Sequence, residues 1–430
     1  MMMPPPHRRT VPVLALLTAA ALLAGCASAD PAQDADDVAA AAGVAHGASK
    51  EEYLAAFEDV EEITLITQLG GAEGSISNVS KEAYMDAVTE WSGGRITFEV
   101  AYGNGIVMDP TEGDNALADG RLDLNFAVGA GFEPDVYPYN RLLSDAGFLT
   151  AYGPSGATAL TGFMMQVMAD NDVFYQEWED AGVHILAPTH NGILSAIFIL
   201  ACSDDYANSA AGISGRIAAV GSAANQAQAG GLGLTPVTLP WTEVYEGLQR
   251  GVVDCYVTPL SAIQSASLDP LIPFASADTD VAFANIPTAL AFGKDRWDEL
   301  PLVARQLLFD RMDVLFTTAW TEDFGGAGEM LAKLESHGGG LVPFEADARA
   351  ALRAANEKLL ADMAARGLDG VDVDRFVEIA DEWQDRIAEY GLPQGDLAEY
   401  LRGTAPTPAD FDAILDALFT EFLADRRPAA

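Results

Sequence analysis

Few residues of this chain have the types and spacing that catalysis requires. Gly212-Ile213-Ser214-Gly215 comes near a Gly-x-Ser-x-Gly elbow without completing it, and Gly129-Ala130-Gly131 lacks the third glycine of a dinucleotide site. An acidic run lacks the glycine and the closing glutamate of a calcium loop: Asp369, Asp372 and Asp374. The histidines beyond residue 25 are not spaced as a metal pair: His46, His184, His190 and His337. The sequence therefore predicts neither an enzyme nor a bound metal or cofactor.

Other polar and aromatic residues occur where a small solute could be held. Trp241 follows a predicted strand, although a core tryptophan is the alternative. His190 and Asn191 lie between two predicted strands, where a purely structural loop histidine is the alternative. Arg141 could supply a cation or serve as a surface or structural arginine. Four further candidates lie near predicted helix starts, where backbone N–H groups favour an anion: Glu73, Ser75, Asn225 and Gln226.

These candidates need strands and helices to position them. Strands are predicted from Ile63 to Gln68, from Ile96 to Val100 and from Leu122 to Phe126, because apolar residues alternate there. Helices are predicted from Asn78 to Trp91 and from Asp109 to Gly120. Strands and helices that alternate at this spacing predict a parallel, doubly wound sheet.

The same pattern returns later in the chain. Strands are predicted at Ile193–Ala201, Leu234–Leu239 and Val252–Val257, with a helix at Thr242–Arg250. A Leu-x-x-Gly-x-x-Asp run occurs in both parts, at 117–123 and at 248–254. In each run the glycine is expected to end a helix in the left-handed conformation and to lead into a strand. The repeat suggests two similar α/β lobes.

Beyond Pro301 the apolar residues recur at helical spacing. Helices are predicted at Ala346–Ala365, Val373–Tyr390 and Ala409–Leu423, and residues 393–408 are predicted to be a linker.

The first 25 residues resemble an export signal. Arg8 and Arg9 precede an uncharged apolar run from Val11 to Leu23, which is short for a membrane span. Leu23-Ala24-Gly25-Cys26 matches a bacterial lipobox, so lipidation of Cys26 is expected, the alternative being an ordinary secretory signal. The Arg8-Arg9 pair leaves both the general and the twin-arginine export routes open.

Composition limits the partners. The chain has 23 Lys and Arg against 64 Asp and Glu, a formal net charge of −41. Such an acidic protein is not expected to bind nucleic acid, which requires clustered cations, or anionic lipid through its folded surface. Export permits a disulfide between Cys202 and Cys255; two buried free thiols are the alternative.

Three stretches resemble the substrate-binding proteins of TRAP transporters (tripartite ATP-independent periplasmic transporters, DctP type). The first is Trp91-Ser92-Gly93-Gly94-Arg95-Ile96-Thr97-Phe98-Glu99-Val100. The second runs from Gly215 to Val237, and the third and strongest is Glu243-Val244-Tyr245-Glu246-Gly247-Leu248-Gln249-Arg250-Gly251-Val252-Val253-Asp254. Phe283-x-Asn285 and the run from Trp297 to Pro301 are also similar. The likeness covers roughly residues 60–390.

The resemblance implies a two-lobe, type II periplasmic-binding-protein fold, each lobe a mostly parallel sheet, braced by long C-terminal helices. The implied function is a receptor that delivers a small organic acid to an ion-gradient-driven permease. The expected divisions are a signal peptide (1–25), an acidic tether (26–60), lobe 1 (61–188, returning at about 275–340), lobe 2 (189–274, returning at about 341–390) and an extension with a terminal helix (391–430).

The chain departs from the family pattern at two positions. In the family an arginine that pairs with the solute carboxylate follows a short turn, and that position is Ala219 here unless a shift brings in Arg216. A family asparagine before a proline is Thr258 before Pro259. Weak binding of simple C4-dicarboxylates is therefore expected. A solute that stacks on Trp241 and bonds Thr258 and Asn191 fits better.

Three other functions remain open. A receptor of an ATP-driven importer would share the two-lobe architecture. A secreted lipid-anchored enzyme would turn over a bound solute. A sensory or scaffold lipoprotein would close on no solute.

Overall fold

Two β-sheets organise the chain. The computed structural model describes residues 43–130, 136–150, 153–189, 193–239 and 243–429. Within these ranges the first sheet has five strands in the order β2-β1-β3-β10-β4. They are β1 Ile63–Leu69, β2 Ile96–Tyr102, β3 Leu124–Val128, β4 Val183–Thr189 and β10 Thr288–Gly293. β1 is parallel to β2 and β3, whereas β10 is antiparallel to both of its neighbours.

The second sheet has six strands in the described ranges, in the order β11-β9-β5-β8-β6-β7. They are β5 Phe198–Cys202, β6 Ile217–Val220, β7 Thr235–Thr238, β8 Cys255–Pro259, β9 Phe274–Ser276 and β11 Gly340–Val342. β6 is parallel to β7 and β8, and β5 is antiparallel to β8 and β9. Each sheet is therefore mostly parallel, as predicted, with one strand reversed against both neighbours.

Helices cover the sheets and connect them. The first group is α1 Lys50–Ala56, α2 Val79–Trp91, α3 Gly113–Ala118, α4 Pro138–Asp145, α5 Gly156–Asp170, α6 Val173–Asp180, α7 Ile193–Ala196, α8 Ala210–Ile213 and α9 Ala223–Leu232. The second is α10 Val244–Gln249, α11 Leu260–Ser265, α12 Lys294–Glu299, α13 Leu302–Asp310, α14 Met312–Ser336, α15 Ala346–Ala365, α16 Val373–Glu389, α17 Leu397–Leu401 and α18 Asp412–Ala417. Short 3₁₀ turns occur at Pro110–Glu112, Pro408–Phe411 and Ala424–Arg426, and a π-helical turn at Leu418–Phe422.

The repeated Leu-x-x-Gly-x-x-Asp run has the same geometry in both sheets. Gly120 after α3 and Gly251 after α10 have φ of +77° and +67°, the left-handed conformation that glycine adopts without steric cost. Three residues later Asp123 Oδ2 accepts a hydrogen bond from Ile66 N in β1, and Asp254 Oδ2 accepts one from Ile217 N in β6, both at 2.8 Å. In each lobe the aspartate thus joins the entering strand to its parallel neighbour.

Two predicted elements differ from the structure. Ile193–Ala201 was expected to be one strand, but α7 and then β5 occupy it. Apolar runs of this length do not distinguish a buried helix from a buried strand. The predicted terminal helix, Ala409–Leu423, is broken into a 3₁₀ turn, α18 and the π-helical turn.

Apolar side chains form separate clusters for the two sheets. The largest contains Leu65, Phe126 and Leu290 of the first sheet. The second sheet has a cluster on each face: one holds Ala219 and Tyr256, the other Ala218 and Val257. Because alternate residues of a strand face opposite ways, β5, β6 and β8 each contribute to both.

A disulfide joins Cys202 of β5 to Cys255 of β8, which are paired opposite each other in the antiparallel ladder. Their Cα atoms are 4.1 Å apart.

Gln306 of α13 holds the two ends of the described chain together. Its Oε1 accepts a hydrogen bond from Val44 N at 2.7 Å, and its Nε2 donates to Pro428 O at 2.9 Å. Cys26, the predicted signal peptide and residues 26–42 of the predicted tether lie outside the described residues, whereas Lys50–Ala56 within that tether forms α1. In the described part of the chain, no helix has the length and apolarity that a membrane span needs.

Candidate functional site

The carboxyl ends of β6 and β8 bring two predicted site residues to one edge of the second sheet. Ala219 is next to last in β6 and Thr258 next to last in β8. In the parallel register Ala219 lies opposite Tyr256, and Tyr256 and Thr258 are two residues apart on the same face of β8. These three residues form the lobe 2 edge.

The lobe 2 edge is buried and carries no formal charge. Ala219 is 1% exposed and Thr258 is fully buried. Burial raises the pKa of the Tyr256 phenol, and the nearby Thr258 hydroxyl acts in the opposite direction without reaching hydrogen-bonding geometry. Among the described residues the Thr258 hydroxyl has no hydrogen-bond partner. A buried hydroxyl without a partner is costly, so this edge is suited to a neutral polar group of a solute.

Arg216 does not replace a cation at this edge. It precedes β6, at the opposite end from Val220. Its Nε donates to Gly212 O at 2.6 Å, and its Nη1 pairs with Asp204. That hydrogen bond lowers the pKa of Asp204. Arg216 thus stabilises the entrance to β6.

Asn225 and Gln226 lie in the first turn of α9, but they differ in their surroundings. Ser222 Oγ caps the helix by accepting a hydrogen bond from Asn225 N at 3.1 Å. The buried Asn225 side chain donates through Nδ2 to Ala284 O at 2.8 Å, so it ties α9 to the segment that returns to the first sheet. Gln226 is exposed.

Glu73 and Ser75 lie in the loop between β1 and α2. Glu73 is exposed and lines an outer groove with Glu82, Asp86 and Tyr102. Ser75 Oγ is 3.2 Å from Ser77 Oγ. Ile76, between these serines, packs against the cluster of the second sheet that contains Ala219 and Tyr256. The loop therefore contacts lobe 2 from lobe 1.

Lys81 is a cation at this loop that sequence reasoning missed. Residues 26–430 contain 21 Lys and Arg, all within the described ranges, and Lys81 at 8% exposure is the most buried of them. Its Nζ donates to Ser77 O, which holds the charge at the carboxyl end of β1. The sequence did not single out Lys81, because a lysine in an amphipathic helix usually faces solvent.

Arg141 forms part of an ion-pair network. Its Nε lies 3.6 Å from Asp145 Oδ2 within α4, and Arg366, which follows α15, pairs with the same carboxylate. This network connects α4 to the end of α15. The structural alternative for Arg141 accounts for these contacts.

The remaining predicted residues, Trp241, His190 and Asn191, lie outside the described residues. A cavity of about 30 Å³, room for about one water molecule, lies at the carboxyl ends of β3 and β4. Its lining includes Ala130, Ser144, Trp178, Pro188 and Thr288. Tyr256 was also missed, although its two-residue spacing from Thr258 was a usable signal.

Comparison with protein families identifies the chain. Residues 72–367 match the family described as bacterial extracellular solute-binding protein, family 7 (DctP). The chain belongs to this family. The match spans both sheets, so the fold described above is that of a family 7 solute-binding protein.

A curated relative and solved structures agree with the family. The ectoine-binding periplasmic protein TeaA of Halomonas elongata is 31% identical over 104 residues, 24% of this chain. The chain spans only 30% of that relative's length in this match. A sugar acid binding protein from Advenella mimigardefordensis, in complex with galactonate, has a TM-score of 0.63 at 17% identity, covering 76% of this chain and 100% of that one.

Two other structures are similar to the same degree. A TRAP solute-binding protein from Rhodoferax ferrireducens with copurified benzoate has a TM-score of 0.63 at 20% identity, covering 76% and 99% of the two chains. The ectoine-binding protein of Halomonas elongata has a TM-score of 0.61 at 17% identity, covering 75% and 100%. At these identities the likeness is one of fold. It confirms the predicted two-lobe, type II architecture for this family 7 protein.

Proposed function

We propose that this family 7 protein is the receptor of a TRAP transport system. It captures a small organic solute between its two lobes and delivers it to an ion-gradient-driven permease in the membrane. The observation that carries the proposal is the family match over residues 72–367, which includes the strands of both sheets except β1. The protein acts by binding and release, without turnover of the solute.

The proposed solute is held by neutral groups on lobe 2 and by a cation on lobe 1. The lobe 2 edge offers the hydroxyls of Tyr256 and Thr258, and Ala219 leaves no guanidinium there. Lys81 is the buried cation at the loop that reaches lobe 2. A monocarboxylate with hydroxyl, oxo or aromatic groups matches this arrangement better than a C4-dicarboxylate, whose second carboxylate would meet uncharged side chains.

The site is proposed to include residues from both lobes and from the hinge between them. We propose that Trp241, Asn191 and His190, which lie outside the described residues, also contact the solute. The lobe boundaries at residues 188–189, 274–275 and 340–341 are part of the same proposal. Support comes from the strands: those of the first sheet fall at 63–189 and 288–293, and those of the second at 198–276 and 340–342.

We propose that the receptor is tethered to the outer face of the cytoplasmic membrane by lipid on Cys26. Support comes from the lipobox sequence at 23–26 and from the acidic segment that follows it. Cys26→Ser should release the protein from membranes or leave the precursor unprocessed. Membrane partitioning equal to that of the unmodified protein would contradict the anchor.

Mass spectrometry of small molecules released from the purified, denatured protein tests the solute class. Receptors with micromolar or tighter affinity, about −8 kcal/mol, retain solute through purification. A thermal-shift screen of monocarboxylates, succinate, malate and neutral solutes follows. A solute at about 1,000 times its dissociation constant adds about 4 kcal/mol to the free energy of unfolding.

The variant Lys81→Met, with Lys358→Met as the exposed control, identifies the cation. The shift caused by a monocarboxylate should fall only in Lys81→Met. A strong shift with succinate or malate would contradict the predicted solute class, and turnover of a bound solute would contradict the receptor function itself.

A further inference from the structure

A C-terminal segment beyond the family match packs against α14. We call residues 392–427 the C-terminal strap. Near the end of α14, Arg402 Nε donates to Glu335 Oε1 at 3.2 Å. Near the middle of α14, the rings of Tyr400 and Phe324 lie 4.8 Å apart, edge to face, and those of Phe411 and Trp320 lie 5.2 Å apart. The strap therefore contacts α14 between Trp320 and Glu335.

The strap passes from lobe 1 to lobe 2 and back, since Leu392 at its start packs in the cluster of the first sheet. Leu397, Ala398 and Leu401 pack in the cluster of the second sheet. Phe411, Ile414, Leu418, Phe419 and Leu423 pack in the cluster of the first sheet. α14 changes clusters in the same way, since Trp320 belongs to the first cluster and Phe324 to the second. The strap is thus a second connection between the lobes, beside α14.

Between its halves the strap has an exposed linker. Arg402, Gly403, Thr404, Ala405 and Thr407 are exposed, and Pro406 is half-buried. Six residues span at most about 20 Å when fully extended. The linker lies where α14 passes from one lobe cluster to the other, so any separation of the lobes must lengthen it.

The helix α14 has its lowest helix propensity where it lies beside the strap. Gly325, Gly326 and Gly328 lie in its interior, and glycine there loses more backbone freedom than other residues on folding. A Cβ added to Gly328 would come within 2.8 Å of Leu401 O in the strap, whereas a Cβ on Gly325 would meet no atom within 4 Å. The strap therefore lies directly on one side of the glycine-rich turn.

The lobe 1 end of the strap is firmly attached. Arg427 Nε and Nη2 donate to the two carboxylate oxygens of Asp310 at 2.8 and 3.0 Å, a bidentate pair. Tyr53 OH donates to the same carboxylate at 2.6 Å, and Arg426 pairs with Asp172. A pull on the linker is transmitted to lobe 1 rather than released by fraying of the chain end.

We propose that the C-terminal strap limits how far the two lobes open. It braces the glycine-rich turn of α14, and the lobes can separate only as far as the linker can extend. The proposal needs the two-lobe fold and not the identity of the solute, and it stands whether or not the proposed transport function is correct.

The opening is measured as the distance between two spin labels on cysteines introduced at exposed positions, Asp180 in lobe 1 and Ala227 in lobe 2. The protein is the full chain carrying Cys26→Ser, without added solute. Six-residue Gly-Ser insertions between Gln394 and Gly395 and between Ala405 and Pro406 slacken both crossings of the strap and leave its packed parts unchanged. The same insertion between the exposed Glu61 and Glu62, within lobe 1, is the control. The strap insertions should lengthen and broaden the distribution of distances, and the control should not. Identical distributions in the two variants would overturn the proposal.

Two glycine variants of α14 test the proposal without any insertion. Gly325→Ala stiffens the helix in open space and should narrow the distance distribution. Gly328→Ala, the same change three residues later, pushes against Leu401 O, so it should displace the strap and broaden the distribution. Equal effects from the two variants would also overturn the proposal. Melting temperatures establish that each variant is folded at the temperature of the measurement.

Discussion

The two lobes of this protein are each stabilised in a different way. Lobe 2 has the Cys202–Cys255 disulfide across β5 and β8. Lobe 1 contains no cysteine, since the third cysteine of the chain is Cys26. It relies instead on carboxylates bonded to cations and to backbone, such as Asp310 with Arg427 and Glu179 with Lys294. Reduction should therefore act on lobe 2, whereas acid should act on both lobes, because the pKa of Asp204 in lobe 2 is also lowered.

The same contrast extends to the residues proposed to meet the solute. The lobe 2 edge has two buried hydroxyls and an alanine, while the loop of lobe 1 contains Glu73 and is bonded by Lys81 of α2. A receptor built in this way recognises charge with one lobe and shape and hydroxyl groups with the other.

The largest expected effect is the loss of the disulfide. Cys202→Ser with Cys255→Ser should lower the free energy of unfolding by about 4 kcal/mol. The bridge closes the loop between the two cysteines and so reduces the conformational entropy of the unfolded chain. Urea unfolding measures the change, and Cys26→Ser is the matched control. A loss no larger than that of the control would mean that lobe 2 does not depend on its bridge.

The next effect concerns the charge that lobe 2 lacks. Ala219 is 1% exposed among apolar neighbours, so Ala219→Arg should lower the free energy of unfolding by about 3 kcal/mol through burial of an unpaired guanidinium. Gln226→Arg, on the exposed side of α9, is the control and should change it by less than about 0.5 kcal/mol. An Ala219→Arg variant that keeps full stability and gains a thermal shift with succinate would show that the edge is open to solvent.

A smaller effect separates stability from binding at Thr258. Thr258→Val removes a buried hydroxyl without a described partner and should raise the free energy of unfolding by up to about 1 kcal/mol. The same change should weaken binding of the solute identified by mass spectrometry about tenfold, the equivalent of one neutral hydrogen bond. Thr258→Ser keeps the hydroxyl and should retain most of the affinity. Unchanged affinity in Thr258→Val would exclude this residue from the site.

The smallest effect is the response of lobe 1 to acid. Burial alone would raise the pKa of Glu179, but hydrogen bonds and charges from His184 and Lys294 lower it below its ordinary value of 4.5. A lowered pKa in the folded state stabilises the fold above pH 4.5, and this contribution is lost as the pH falls through the folded value. Glu179→Gln should therefore reduce the acid sensitivity of the free energy of unfolding, by less than about 1 kcal/mol.

Glu99→Gln, an exposed change in the same lobe, is the control for this titration. Urea unfolding at a series of pH values between about 3 and 6 measures both variants. Parallel pH profiles in the two would mean that Glu179 does not contribute.

Periodicity and caps allowed much of the fold to be predicted. α15 begins at Ala346 and ends at Ala365, as the apolar spacing predicted. The glycines of the repeated run also have the left-handed conformation that was expected. The prediction at Ile193–Ala201 was wrong because a continuous apolar run shows neither the period of a helix nor that of a strand.

The site was harder to predict because it depends on contacts between distant residues. Arg216 follows a turn that resembles a ligand-binding motif, but its Asp204 partner is twelve residues away. Lys81 became visible only through its burial and its bond to Ser77 O. Likewise, the contact of residues 392–427 with α14 left no local pattern, and the sequence indicated only a linker and a final helix.

Gln306 holds together the two ends of the described chain, and this has a practical consequence for biosensor design. Since Val44 and Pro428 bond to the same side chain, a short peptide could join the ends, and the chain could be reopened elsewhere. The exposed loop at Glu61 and Glu62 offers a place for new termini within lobe 1. A fluorescent protein inserted instead between Ala405 and Pro406 would lie where the connection between the lobes changes length, and would convert their movement into light.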